Sequence, residues 1–151
     1  MLNSKQTFEE PTPLLSAKNY YIVLSSSLSG VCCLSVVKVF FRIYNPRDVS
    51  KFVNVEGVVD TGAVYTVVPR KLLEDVGIKP VERRRFRAFG GFVERDVGIA
   101  EVELMGRRGG ITVIFGEEDD LAVLGVTALE ALGLEVDPIK NTLREAELLM
   151  L

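Results

Sequence analysis

From Val36 onward the chain is dominated by β-branched and aromatic residues, in short runs separated by turn-forming clusters. Such runs predict β-strands. Val36 to Tyr44 reads as one strand, Asn45-Pro46-Arg47-Asp48 as a turn, and Lys51 to Val59 as a second strand. Thr66-Val67-Val68 predicts a short strand ending at Pro69, which suits the first turn of a helix. Leu72, Leu73 and Val76 share one face of that helix, and Gly77 supplies its stop.

Arg83 to Ala88 and the run from Phe92 to Met105 predict a hairpin with Gly90-Gly91 at its tip, because a glycine pair tolerates positive φ. Gly106-Arg107-Arg108-Gly109 predicts a second turn, leading into a strand from Ile111 to Phe115. Glu117-Glu118-Asp119-Asp120 reads as a solvated loop, and Leu121 to Leu124 as a buried strand closing on Gly125. Thr127 and Glu130 have capping-box spacing for a short helix that ends at Gly133. Leu134-Glu135-Val136 and Thr142 to Leu149 flank a turn at Asp137 to Asn141 and predict a terminal hairpin. The expectation is a mostly β domain over residues 36–151 with one or two short helices.

The preceding residues, 1–35, form an N-terminal extension of undefined structure. Nineteen uncharged residues, Asn19 to Val37, raise the question of a membrane span, but five serines, Asn19 and Gly30 dilute the stretch. No small-x-small cleavage site stands out. A poorly packed extension, or upstream sequence added by an early start, explains the region more simply than an anchor.

Composition narrows the chemistry. The chain has 151 residues, 48% apolar and 26% charged, enough for one domain with a real core. Its net charge of −3 gives no general attraction to nucleic acid or anionic membrane. Histidine is absent, which removes Ser-His-Asp and Cys-His catalysis and His-ligated metals. The only cysteines, Cys32 and Cys33, are adjacent and cannot staple a fold, so a reducing, cytoplasmic setting is expected. Neither a metal nor another cofactor is expected.

One run carries chemistry. Val58-Val59-Asp60-Thr61-Gly62-Ala63 places a carboxylate at the end of a hydrophobic strand, where the chain must turn. Peptide hydrolysis without metal or histidine needs a general base for water and an acid for the leaving amine. Two adjacent carboxyls supply both, because they cannot both ionise cheaply and one keeps its proton. Only one Asp-Thr-Gly occurs. Asp48, Asp75, Asp96, Asp119, Asp120 and Asp137 lack a following Thr-Gly or Ser-Gly, so a second chain must bring the second carboxylate. An isolated Asp-Thr-Gly is also an ordinary turn with an Asx bond.

The order Asp60-Thr61-Gly62-Ala63, then Thr66-Val67-Val68, then Gly90-Gly91-Phe92-Val93, then Val123-Leu124-Gly125 resembles the retropepsin-like aspartic peptidases, the family of the retroviral proteases. The resemblance covers about Val36 to Val136. It implies a retropepsin-like closed β-barrel, the acid protease fold, working as a homodimer on peptide or protein substrates. Asp60 of each subunit would activate a water, with Thr61, Gly62 and Ala63 shaping the active-site loop and Thr61 bonding across the dimer. Phe89, Gly90, Gly91 and Phe92 would form the substrate-binding flap. Thr66, Val123, Leu124 and Gly125 would support the loop from beneath.

There are departures. Val126 stands where the retroviral enzymes carry an arginine, and dimerisation strands from the two termini cannot be carried over. Ala63 in place of serine implies an operating range less acidic than that of pepsin-like enzymes. Two other readings stay open: a weakly catalytic or non-catalytic peptide-binding or dimerisation module on the same fold, and a monomeric β domain with a chance Asp-Thr-Gly. The basic cluster Arg83, Arg84, Arg85 and Arg87, interleaved with Phe86 and Phe89, reads as a solvated hairpin arm rather than a nucleic-acid patch. Selection of acidic peptides, or pairing with Glu117 to Asp120, is a further use for it.

Overall fold

The structure is a computed structural model that describes residues 21–24 and 35–150. Strands predominate: β1 (Tyr21–Leu24), β2 (Ser35–Asn45), β3 (Asp48–Val59), β4 (Thr66–Pro69), β5 (Glu82–Ala88), β6 (Gly91–Leu104), β7 (Arg107–Gly116), β8 (Val123–Leu124), β9 (Leu134–Asp137) and β10 (Thr142–Glu145). Two short helices, α1 (Arg70–Asp75) and α2 (Val126–Leu132), complete the described residues.

Eight strands form one sheet in the order β1-β2-β3-β8-β4-β7-β6-β5. Pairs Arg42↔Glu103, Ile43↔Val102 and Tyr44↔Glu101 join β2 to β6, so six of the strands close a ring. The period of two places Val37, Val39, Phe41 and Ile43 of β2 inside that ring. Val55, Val68, Ala100, Val102, Val113, Phe115 and Leu124 meet them there, and Leu73 of α1 and Leu129 and Leu132 of α2 close the core. Each fully buried Leu, Ile, Val or Phe stabilises the fold by about 1.5–3 kcal/mol relative to exposure.

The expected order of strands and helices is observed, with local corrections. Pro69 sits at the N-cap of α1, not in its first turn. The β5–β6 turn is Phe89-Gly90, since Ala88 pairs with Gly91 and Gly91 already belongs to β6. The β6–β7 turn is Met105-Gly106 rather than Gly106 to Gly109, with φ of 56° and 73°. Consecutive positive φ values match the twist of a two-residue hairpin, even with a methionine first. Arg107 to Gly110 consequently extend β7. Leu121 is exposed, and the predicted Leu121–Leu124 strand shrinks to Val123–Leu124. The terminal hairpin stops at Glu145. Its turn is held by Asp137, whose Oδ1 accepts from Lys140 N at 3.0 Å and Ile139 N at 2.9 Å. Those donors hold its carboxyl below the ordinary carboxylate range.

β1 adds an edge strand through pairs from Tyr21↔Lys38 to Leu24↔Ser35. Cys32 and Cys33 lie outside the described residues, as does much of the uncharged stretch. No helix among the described residues is long and apolar enough to cross a membrane.

Candidate active site

β3 ends beside β8, and this parallel pairing, Val58↔Val123 and Val59↔Leu124, delivers Asp60. Asp60 N donates to Leu124 O at 3.1 Å, the last such bond before the chain turns. The turn is an Asx type: Gly62 N donates to Asp60 Oδ1 at 2.8 Å, and Ala63 N donates to Asp60 O at 3.1 Å. The Asp60 side chain is exposed, as are Thr61 and Gly62. One carboxylate oxygen is therefore oriented by an amide while the group faces outward.

The segment before and within α2 fastens the loop from the other side. Val126 N donates to Ala63 O at 2.8 Å and Thr127 N to Val64 O at 3.1 Å. Thr127 Oγ1 also donates to Val64 O, at 2.7 Å. The fully buried Thr66 accepts from Gly125 N at 3.1 Å through its hydroxyl. With Asp60 N to Leu124 O, these bonds tie both ends of the loop to Leu124 through Thr127.

The contact admits only small residues. A Cβ on Gly125 would lie 2.6 Å from Tyr65 C, and one on Gly57 2.6 Å from Ala122 O. This is the physical reason for glycine after Val123-Leu124. The predicted capping box does not form: Gly125 is the N-cap of α2, without a side-chain cap bond, and the Thr127 hydroxyl is engaged with the loop instead.

The β5–β6 hairpin is linked to this loop through Tyr65, a residue that sequence reasoning passed over. Phe86 packs edge-on against the Tyr65 ring at 6.2 Å, and Arg84 Nη1 donates to Tyr65 Oη at 3.2 Å. Arg84 is also paired with Glu82. An aromatic residue at the loop's end, facing a basic-aromatic strand, was the signal that could have found the link.

Alternation along β5 and β6 sends Arg83, Arg85, Arg87 and Phe92 to the opposite face from Phe86. There the Arg85 guanidinium lies 3.9 Å over the Phe92 ring and that of Arg87 5.9 Å. Phe89 is fully exposed at the tip, with Gly90 at φ 90° and Gly91 at φ 148°. Of the four flap residues expected from sequence, Phe89, Gly90 and Gly91 thus form the tip, and Phe92 stacks under arginines on the outer face. Arg83 pairs with Glu94 and Asp96. The acidic loop takes Arg95, not the β5 arginines, through Glu117 at 3.2 Å.

No family model matches the chain, and no curated protein does. Among solved structures the chain is similar to the solution structure of Simian Foamy Virus (mac) protease. The TM-score is 0.45 and the identity 20%, over 62% of this chain and 91% of that one.

Proposed function

We propose that this chain is an aspartic endopeptidase that acts as a symmetric homodimer on extended peptide segments. The observation that carries this reading is the Asp60 loop. An outward-facing carboxylate at a strand end is oriented by the Gly62 amide, and its loop is pinned to the Leu124–Thr127 segment. A lone exposed aspartate would need no such scaffold for a surface turn.

In the proposed dimer a twofold axis passes between two Asp60 side chains, an isologous contact. The two carboxyls share one proton, since the second ionisation is opposed by the first charge. The charged carboxylate takes a proton from a bound water as the water oxygen bonds to the scissile carbonyl carbon. The protonated partner gives its proton to the carbonyl oxygen, forming a neutral gem-diol. Collapse of that diol breaks the C–N bond, with one carboxyl protonating the leaving nitrogen and the other taking a hydroxyl proton. The pair ends with the proton count it began with.

In this reading Thr61 bonds to the partner subunit and stiffens the paired loops. Gly62 and Ala63 leave room for the water, and the Phe89-Gly90-Gly91 tip folds over the substrate. Asp60→Asn should abolish hydrolysis while leaving thermal stability and sedimentation unchanged, and an active-site aspartic-peptidase inhibitor should silence the unmodified chain. Full activity in Asp60→Asn would end the assignment.

A further inference from the structure

A second concave site lies at the other end of β3 from Asp60. The β2–β3 turn and the segment between α1 and β5 border a groove of about 560 Å³, within the usual range for ligand sites. Pro46, Arg47, Gly77, Lys79, Val81 and Ile99 are among its lining residues. Its floor is built around the buried Asn45, whose Nδ2 donates to Val76 O at 3.0 Å and whose Oδ1 accepts from Arg47 N at 2.9 Å. Gly77, at φ 78°, leaves the floor open, because a Cβ there would sit 3.2 Å from Asn45 Nδ2.

The groove is cationic and its rim is apolar. Arg47 and Lys79 line it, and Lys51 Nζ lies 4.0 Å from where a Gly77 Cβ would be. Among the described residues none of these three cations has an ion-pair partner. Asp48, the acid nearest in sequence, directs its Oδ1 to Ser50 N and Ser50 Oγ at 3.1 and 2.6 Å, and its charge also attracts Lys51 without forming an ion pair, which leaves Arg47 and Lys79 as the cations offered to a ligand. Val81 and Ile99 are 63% and 56% exposed.

Charge complementarity calls for carboxylates or phosphates, and the exposed Val81 and Ile99 call for apolar side chains beside them. Among the described residues no aromatic ring lines the groove, so they offer bases no stacking platform there. A free phosphate would leave the apolar rim in water.

We propose that this groove docks an acidic, extended segment of another polypeptide, with carboxylates on Arg47 and Lys79 and an apolar side chain on Val81 and Ile99. The site adjoins the base of the β5–β6 hairpin, where Val81 N donates to Val97 O at 2.8 Å beside the first hairpin pair, Glu82↔Val97. The bound segment therefore lies against the base of the hairpin whose Phe86 and Arg84 meet Tyr65 at the end of the Asp60 loop.

The test is fluorescence anisotropy with the full chain carrying Asp60→Asn, so that the probe survives, and a fluorescein-labelled peptide Glu-Leu-Glu-Pro-Leu-Glu. Saturable binding is expected that falls by about tenfold or more in Arg47→Glu/Lys79→Glu, as for charge reversal in a complementary interface. The expected affinity also falls when glutamines replace the probe's glutamates, and bound probe slows hydrogen exchange at the Val81 amide. Arg85→Glu/Arg87→Glu, with the same change in net charge, should leave binding intact. Four results would overturn the proposal: equal binding of the glutamine probe, equal loss in both double variants, tighter binding of an oligothymidylate of matching charge, or probe binding that appears only after residues 1–20 are removed. The glutamine probe keeps the test decisive even where the double variant fails to fold.

Discussion

The Asp60 loop and the tip of the β5–β6 hairpin use glycine for opposite reasons. At the loop, glycine is required by crowding: a Cβ on Gly125 would meet Tyr65 C at 2.6 Å. At the tip, Cβ atoms on Gly90 or Gly91 would meet nothing within 4 Å, and only their positive φ calls for glycine. One region is fixed by close backbone contact and by hydrogen bonds on both sides. The other is held by a two-residue turn with Phe89 in solvent. In the proposed dimer, a carboxylate that meets its counterpart across an axis needs the first kind of support. In the same proposal, a hairpin that admits and covers a peptide needs the second.

Substitutions can break this contrast. Gly125→Val should be the most damaging, because the clash is with backbone that cannot move without releasing Asp60. Overpacking of this kind costs about 3 kcal/mol or more, which for a chain of this size lowers Tm by roughly 6–12 °C. Differential scanning calorimetry reads it, and hydrolysis should fall further than the folded fraction alone accounts for.

Thr127→Val comes next. It removes the hydroxyl bond to Val64 O but keeps the amide bond to the same oxygen. The expected loss is about 1 kcal/mol in urea unfolding, typical of one hydrogen bond. A loss near zero would mean that the hydroxyl contributes nothing to anchoring the loop.

Phe89→Ser should move stability least, within about 0.5 kcal/mol, since the side chain is fully exposed. It should nonetheless raise KM for extended peptides. An unchanged KM would remove the tip from substrate contact and leave the contrast purely structural.

Much of this organisation was legible in the chain. Strand after strand was marked by β-branched runs, and the glycines after Val76, Phe89 and Leu132 marked turns or helix ends that the structure contains. What escaped reading has specific physical causes. Met105 adopts a left-handed backbone that its residue type does not advertise, and the turn therefore falls at Met105-Gly106, ahead of the Gly106 to Gly109 that the glycines suggest. Thr127 and Glu130 carried a local capping signal, but a carbonyl 63 residues away, that of Val64, took the hydroxyl instead. Tyr65 and Phe86 meet only because the ring brings the hairpin over the loop. The side of the hairpin on which Phe92 falls depends on strand register, which a one-residue change in the turn would reverse.

In the proposed dimer a single active site needs Asp60 from two chains, and subunit mixing can break that requirement. The unmodified chain is denatured and refolded with an equal amount of Asp60→Asn at fixed total concentration, and hydrolysis is compared with that of the unmodified chain alone. Random pairing leaves about one quarter of the dimers with both carboxylates, so activity should fall to about one quarter. A fall to only about one half, linear in the fraction of unmodified chain, would mean that each Asp60 works alone and would contradict the account.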